Sequence, residues 1–203
     1  MNQKIILLSK SCIGDAEKQA VLGVLDREYL GMGVEVQQFE DALSEFFGRP
    51  TVCVINGTAA LHLSLQACGV GPGDEVLIPS LTYVASFQAI SATGALPIAC
   101  DINEETYLLD LVDAEKRITA RTKAIMPVHY TGGVGDLDAL YKFANKNNFD
   151  HLLVQIRGRG DALYSSEIVS RNSEIANSSF DPLDYVLKAG HENDIQIHAW
   201  MNM

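Results

Sequence analysis

Basic and aromatic residues are both scarce in this chain. Its 203 residues include 15 Lys and Arg against 26 Asp and Glu, which gives a net charge of −11, and aromatic residues make up 7%. Proteins that bind nucleic acid or anionic membranes generally present a basic face. We therefore expect neither nucleic acid nor a membrane among the partners of this chain.

Long apolar runs are also missing. The run at residues 5–8 is too short for the core of a signal peptide. No run approaches the roughly 20 apolar residues that a membrane-spanning helix needs. The sequence therefore predicts a cytoplasmic protein.

Cysteine is the third scarce residue. The four cysteines have no Cys-x-x-Cys spacing, and each lies in an apolar or helical context. This pattern indicates buried, reduced thiols and no metal site. The cysteines are Cys12, Cys53, Cys68 and Cys100.

Short apolar strands alternate with amphipathic helices along most of the chain. This alternation predicts an α/β fold with a largely parallel sheet and flanking helices. Ser80 or Thr82 is expected to cap the helix that ends near Thr93, and Asp110 and Asp136 begin two later helices. Strands are predicted at residues 52–55, 75–79, 96–101 and 123–128, and the first two helices at residues 14–27 and 36–47.

The first predicted strand runs into a turn of small residues at Asn56, Gly57 and Thr58, and a helix rich in Ala and Leu follows. Such a junction directs free N–H groups and the positive end of a helix dipole at one point, which suits a phosphate. Thr82 and His129 also follow predicted strands, so they are expected at the same edge of the sheet, where ligands of such folds bind. His129 is either near that ligand or a hydrogen-bonded histidine at a strand end.

The character of the chain changes near Asn147, and we divide it into domains 1–147 and 148–203. The second domain contains a predicted strand at residues 152–156, a helix that begins near Pro182 and a strand at residues 195–200. A β-α-β unit that ends on an apolar strand needs more sheet to cover it. We therefore expect a truncated fold, with strand 152–156 added to the sheet of the first domain.

Motifs in consistent order occur at residues 29–40, 56–62, 71–76, 79–85, 101–102, 119–124 and 127–130. By these motifs, residues 5–147 resemble the DegT/DnrJ/EryC1/StrS family of pyridoxal-phosphate-dependent sugar aminotransferases. The resemblance implies an incomplete large domain of the type I (aspartate-aminotransferase-like) fold, a pyridoxal 5′-phosphate cofactor and nucleotide-linked keto sugars as substrates. It also implies a homodimer, because the family builds its sites partly from the partner subunit.

The resemblance assigns four site residues. Gly57, Thr58 and Ala59 would hold the cofactor phosphate, and Tyr83 would lie against the pyridine ring. An aromatic face in that position contributes roughly 0.5–1.5 kcal/mol beyond burial. His62 lies on the apolar helix and is assigned to packing.

The sequence departs from the family at the two residues that the reaction needs, an aspartate and a lysine. In the family, the next strand carries an aspartate for the pyridine nitrogen, and a later lysine forms the Schiff base. Here strand 152–156 has no aspartate, and no lysine occupies the family's lysine motif. We therefore assign no catalytic residue and expect neither covalent cofactor attachment nor transamination by this chain alone. Recruitment of Lys188 as a replacement stays as an alternative.

The C-terminal part has a resemblance of its own. Residues 153–162, 180–183 and 197–202 are similar to the opening of a GHL10-type glycoside-hydrolase-like (β/α)8 barrel. This implies that Arg157, Asp161, His198 and Asn202 lie near strand ends, where barrel enzymes bind substrate. The chain is then a fusion of two incomplete domains. A non-catalytic module that binds phosphate or pyridoxal phosphate, and a remnant of a glycoside hydrolase, are the alternatives.

Overall fold

A computed structural model describes residues 13–130, 133, 135–149, 151–157, 179 and 181–201. The chain forms two compact units, Met1–Val54 and Ile55–Met203. The domain boundary expected near Asn147 was inferred from a change in the character of the sequence, and it stays a prediction. Cys12, Asp161 and Asn202 lie outside the described residues, as does Phe180 in the barrel-like motif.

The first unit contains two helices, α1 (Asp15–Asp26) and α2 (Val34–Phe47), close to the predicted positions. Helix α2 ends at Gly48, whose φ of 62° lies in the left-handed region that glycine adopts without strain. Neither helix has a buried residue. Local signals therefore suffice to predict these helices.

The strand predicted at residues 52–55 is wrong, because residues 51–54 have no regular secondary structure. Their amides bond to side chains of α2 instead of to a neighbouring strand. The N–H of Thr51 donates to Ser44 Oγ at 2.9 Å, and the N–H of Cys53 donates to Glu40 Oε1 at 2.7 Å. These side-chain acceptors occupy the amides that a strand ladder needs.

The second unit contains a parallel sheet of three strands in the order β2-β1-β3, which confirms the predicted α/β class. The strands are β1 (Glu75–Pro79), β2 (Leu96–Cys100) and β3 (Thr122–Ile125). Every residue of the central strand β1 is buried. Strand β3 ends earlier than predicted: Met126 donates the next backbone hydrogen bond, to Leu77 O, and Pro127 has no N–H to continue.

Four helices flank this sheet: α3 (Gly57–Ala67), α4 (Val84–Ala92), α5 (Leu111–Arg117) and α6 (Leu137–Lys146). The side chain of Asp136 caps α6 as predicted, and Asp110, predicted as the first residue of a helix, caps α5. One face of the sheet packs against α3 and α4, and each fully buried aliphatic side chain there contributes about 1.5–3 kcal/mol. This core includes Leu61, Leu65, Val76, Ile78, Ala89, Ile90, Ala124 and Met126.

A buried carboxylate fixes the beginning of β1. Glu75 accepts a hydrogen bond from the Thr119 hydroxyl at 2.6 Å and forms an ion pair with Arg121. The Thr119 hydrogen bond is the largest cause that lowers the pKa of Glu75. This cluster joins β1 to the segment that leads into β3, at the amino edge of the sheet.

The C-terminal βαβ segment consists of β4 (His151–Arg157), α7 (Pro182–Glu192) and β5 (Gln196–Met201). Asp181 caps α7 through the N–H groups of Leu183 and Asp184. Strand β4 pairs with β5 in a parallel sheet of its own, so the prediction that it would join the first sheet is wrong. It contacts β3, but its ladder is formed with β5.

Candidate functional site

The candidate site begins at the first turn of α3. Asn56 caps this helix: its Oδ1 accepts from the N–H of Ala59 at 2.9 Å, and its carbonyl accepts from the N–H of Ala60 at 3.1 Å. The N–H groups of Gly57 and Thr58 have no hydrogen-bond partner within the part of the chain that the structure describes. Two donors at the positive end of an 11-residue helix are therefore available to an anion.

The topology places this turn at the carboxyl edge of the sheet. Helix α3 is followed by the short connection 68–74, which leads into the amino end of β1. Helix α3 and β1 have similar lengths, about 16 Å each, and Leu61 of α3 and Val76 of β1 belong to the same buried cluster. Helix α3 therefore runs antiparallel to β1, and Gly57 lies at the edge where β1 ends.

Tyr83 follows the carboxyl end of β1, at the N-cap position of α4. Its side chain is 77% exposed, so its ring is open to a flat ligand. The expectation that Ser80 or Thr82 caps α4 is wrong, because no side chain caps this helix. Thr82 lies one residue before the N-cap Tyr83, and its hydroxyl contacts the buried Ser86 hydroxyl at 3.0 Å.

A cleft of about 330 Å³ lies elsewhere on the second unit, beside α5 and α6. His129 is 7% exposed and lies in this cleft with Asp110 and Asp136. None of Gly57, Thr58, Ala59 and Tyr83 lines it. The structure thus places His129 just beyond β3, but in a cleft apart from the predicted phosphate turn.

The phosphate group of pyridoxal phosphate fits the α3 turn in part. Gly57 and Thr58 offer free N–H donors, whereas the N–H of Ala59 already bonds to Asn56. The motif contains Asn56, but its role as the cap was missed. An asparagine followed three residues later by a helical position is the signal that would have revealed it.

Lys188 does not have the surroundings that a replacement for the Schiff-base lysine needs. This side chain is exposed on α7 and pairs with Asp184 at 2.7 Å. That hydrogen bond is the main cause that raises the pKa of Lys188, whereas a lysine nucleophile needs a lowered pKa. His62 is half-buried on α3, in keeping with a packing role.

The described residues contain no group of three or more His, Cys, Asp or Glu arranged to hold a metal ion. Among them, no helix is both long and apolar enough to cross a membrane. Cys53, Cys68 and Cys100 are free cysteines; Cys100 is buried as expected, whereas Cys53 and Cys68 are only half-buried, so burial was wrongly expected for these two.

The model of the DegT/DnrJ/EryC1/StrS aminotransferase family matches residues 11–155. The chain belongs to this family. The family's members depend on pyridoxal phosphate, and the match includes the α3 turn and Tyr83.

Individual relatives agree with the family. The chain is 42% identical over 134 residues to GDP-perosamine synthase of Caulobacter vibrioides, covering 65% of this chain and 36% of that protein. It is 37% identical over 164 residues to dTDP-3-amino-3,4,6-trideoxy-alpha-D-glucose transaminase of Streptomyces venezuelae, covering 80% and 43%. The chain therefore spans less than half the length of these relatives.

Solved structures show the same fold. The aminotransferase TlmJ from Streptoalloteichus hindustanus matches with a TM-score of 0.65 and 34% identity, covering 75% of this chain and 42% of that one. DesV of S. venezuelae, solved with a ketimine intermediate, matches with a TM-score of 0.58 and 38% identity, covering 68% and 37%. The chain therefore has part of the aminotransferase fold.

Proposed function

We propose that the chain binds the phosphate group of pyridoxal 5′-phosphate non-covalently at the first turn of α3. The observation that carries this proposal is the pair of free N–H groups of Gly57 and Thr58 at a helix N-terminus. The Thr58 hydroxyl adds a third donor. The N–H of Ala59 can take part only if the anion replaces the side chain of Asn56.

The remaining roles follow the family. Tyr83, exposed beyond β1, would lie against the pyridine ring of the cofactor. The substrate class is a nucleotide-linked keto sugar, which the names of the two sugar-synthesising relatives support. When bound, pyridoxal phosphate supplies an electron sink, and the residues of this chain bind and orient it.

We further propose that the 203-residue chain does not catalyse transamination by itself. It lacks a lysine in the family's Schiff-base motif, and Lys188 is held on the exposed face of α7 by Asp184. We also propose that the aminotransferase-like part is joined to a different sequence near Asn147. A glycoside-hydrolase origin of residues 148–203 rests on their sequence resemblance and adds no activity to the proposal.

Titration calorimetry with pyridoxal phosphate tests the binding. We expect saturable binding by the full chain and a loss of about 0.5–1.5 kcal/mol of binding free energy in Thr58→Val, the value of one hydrogen bond. Thr106→Val is the matched control. Thr106 lines the cleft beside α5 and α6, so this variant should bind like the wild type. No heat from a folded sample would contradict the proposal.

Absorbance spectroscopy separates binding from catalysis. We expect the bound cofactor to remain unattached, so borohydride should fix no cofactor to the chain. A Schiff-base band that borohydride removes would show covalent attachment and would contradict the proposed inactivity. Lys188→Ala should leave the spectrum unchanged.

Two proposals concern assembly and location. The family's shared sites suggest a homodimer, which light scattering coupled to gel filtration tests directly. Cytoplasmic location is tested by fractionation of cells that express the chain. A monomer, or a membrane-associated fraction, would contradict the corresponding proposal.

A further inference from the structure

The C-terminal βαβ segment contacts the rest of the second unit at three separate places. Strand β4 contacts β3, helix α7 contacts α6, and strand β5 contacts α3. A segment joined to its neighbour only by a linker would lack such contacts. The segment is therefore packed into the second unit.

The contact between α6 and α7 is fixed by hydrogen bonds. The buried hydroxyl of Tyr141 donates to the carbonyl of Val186 at 2.9 Å, and burial raises the pKa of this tyrosine. At the margin, Asn145 Nδ2 donates to Asn193 Oδ1 at 2.7 Å, and the Tyr185 hydroxyl bonds to Asp138. Because an unpaired buried polar group is costly, these bonds hold α7 in one position on α6.

Helix α7 in turn holds β5. The two elements are three residues apart in the chain, and Ile195 between them is buried. A Cβ on Gly190 would lie 2.6 Å from Ile197 Cγ1, so α7 and β5 pack too closely for any larger residue there. Strand β5 then contacts α3, whose first turn carries Gly57 and Thr58.

We propose that the C-terminal βαβ segment supports helix α3 and thereby positions the phosphate turn, with Tyr141 as a positioning residue. The connection runs from α6 through α7 and β5 to α3. The effect on phosphate binding rests on the proposed function. The support of α3 by the segment does not.

The test uses the full chain with three variants. Val186→Ala removes buried volume from α7, Tyr141→Phe removes only the hydroxyl, and Lys188→Ala changes an exposed residue of the same helix. Amide hydrogen exchange is measured at Leu61 and Leu65 in α3. Affinity is measured by calorimetry with pyridoxal phosphate and, separately, with inorganic phosphate.

In Val186→Ala we expect faster exchange at Leu61 and Leu65 and affinities lower by about fivefold or more, the lower range of coupling between sites. Tyr141→Phe should also speed the exchange and lower the affinities, but by a smaller amount. If Val186→Ala does not fold, the result for Tyr141→Phe decides the test. Lys188→Ala should match the wild type in both measurements.

Faster exchange in α7 and β5 with unchanged exchange in α3 would overturn the inference, because the segment would then move independently. Faster exchange in α3 with unchanged affinity would show that α3 is supported but its turn is not positioned, which would also overturn it. If the wild type binds neither ligand, the proposed function fails, and the exchange data still decide whether the segment supports α3.

Discussion

Two apolar runs of the chain, residues 52–55 and Glu75–Pro79, give the same strand signal but have different structures. Only the second forms a strand, and it is hydrogen-bonded to a neighbour on each side. In the first run, Val52 is 75% exposed and the N–H of Cys53 bonds to Glu40. An apolar run therefore becomes a strand only where a neighbouring strand accepts its backbone groups.

The largest expected effect compares two isoleucines, one from each run. Ile78 in β1 is fully buried, whereas Ile55 is 91% exposed. Ile78→Ala should lower the free energy of unfolding by ~2–5 kcal/mol through lost burial and a cavity. Ile55→Ala should change it by no more than ~0.5 kcal/mol. Urea unfolding measures both, and equal losses would show that residues 52–55 are packed like β1.

The next effect concerns the carboxylate at the beginning of β1. Glu75 has a lowered pKa in the folded chain, so the unfolded chain binds more protons between the two pKa values. The stability that Glu75 contributes is thus complete above the ordinary glutamate pKa and is lost as pH falls through the folded pKa.

Glu75→Gln should therefore reduce stability at neutral pH and weaken its dependence on pH in the acid range. Unfolding by urea at a series of pH values measures this slope. Glu104→Gln is the control, because Glu104 is exposed in the loop between β2 and α5. A slope unchanged from the wild type would show that Glu75 does not anchor β1.

The smallest effect concerns Glu40, the α2 carboxylate that binds the first run through the amide of Cys53. Glu40 accepts from the N–H of Cys53 and, after burial, is the second cause that raises the pKa of the Cys53 thiol. Glu40→Ala should lower that pKa and speed alkylation of Cys53 at a fixed pH slightly above neutral. Mass spectrometry follows the modified cysteine, and Glu45→Ala serves as the control. An unchanged rate would show that Glu40 does not act on Cys53.

The helices were the most predictable part of the molecule, because their signals are local. Asp110, Asp136 and Asp181 cap α5, α6 and α7 at the positions that the sequence indicates. Gly48 likewise ends α2. Each of these signals acts within one helical turn, so it does not depend on the rest of the fold.

Features that depend on distant residues were not predictable. The sequence does not show that Ser44 and Glu40 bind the amides of Thr51 and Cys53, or that β4 pairs with β5. In the candidate site, the motif indicates Gly57 and Thr58; the Asn56 bond that occupies the Ala59 amide is local and was missed although the sequence carries its signal. These outcomes are decided by competition between alternative hydrogen-bond partners.

The Asn56 cap also has a consequence for the kinetics and entropy of binding. Its bond to the Ala59 amide holds the first turn of α3 in helical geometry through the chain's own atoms. An anion that arrives finds its donors already oriented, so little conformational entropy of the chain is lost on binding. Association at this turn should then proceed without a slow rearrangement, and differences in affinity among anions should appear mainly in how fast they leave.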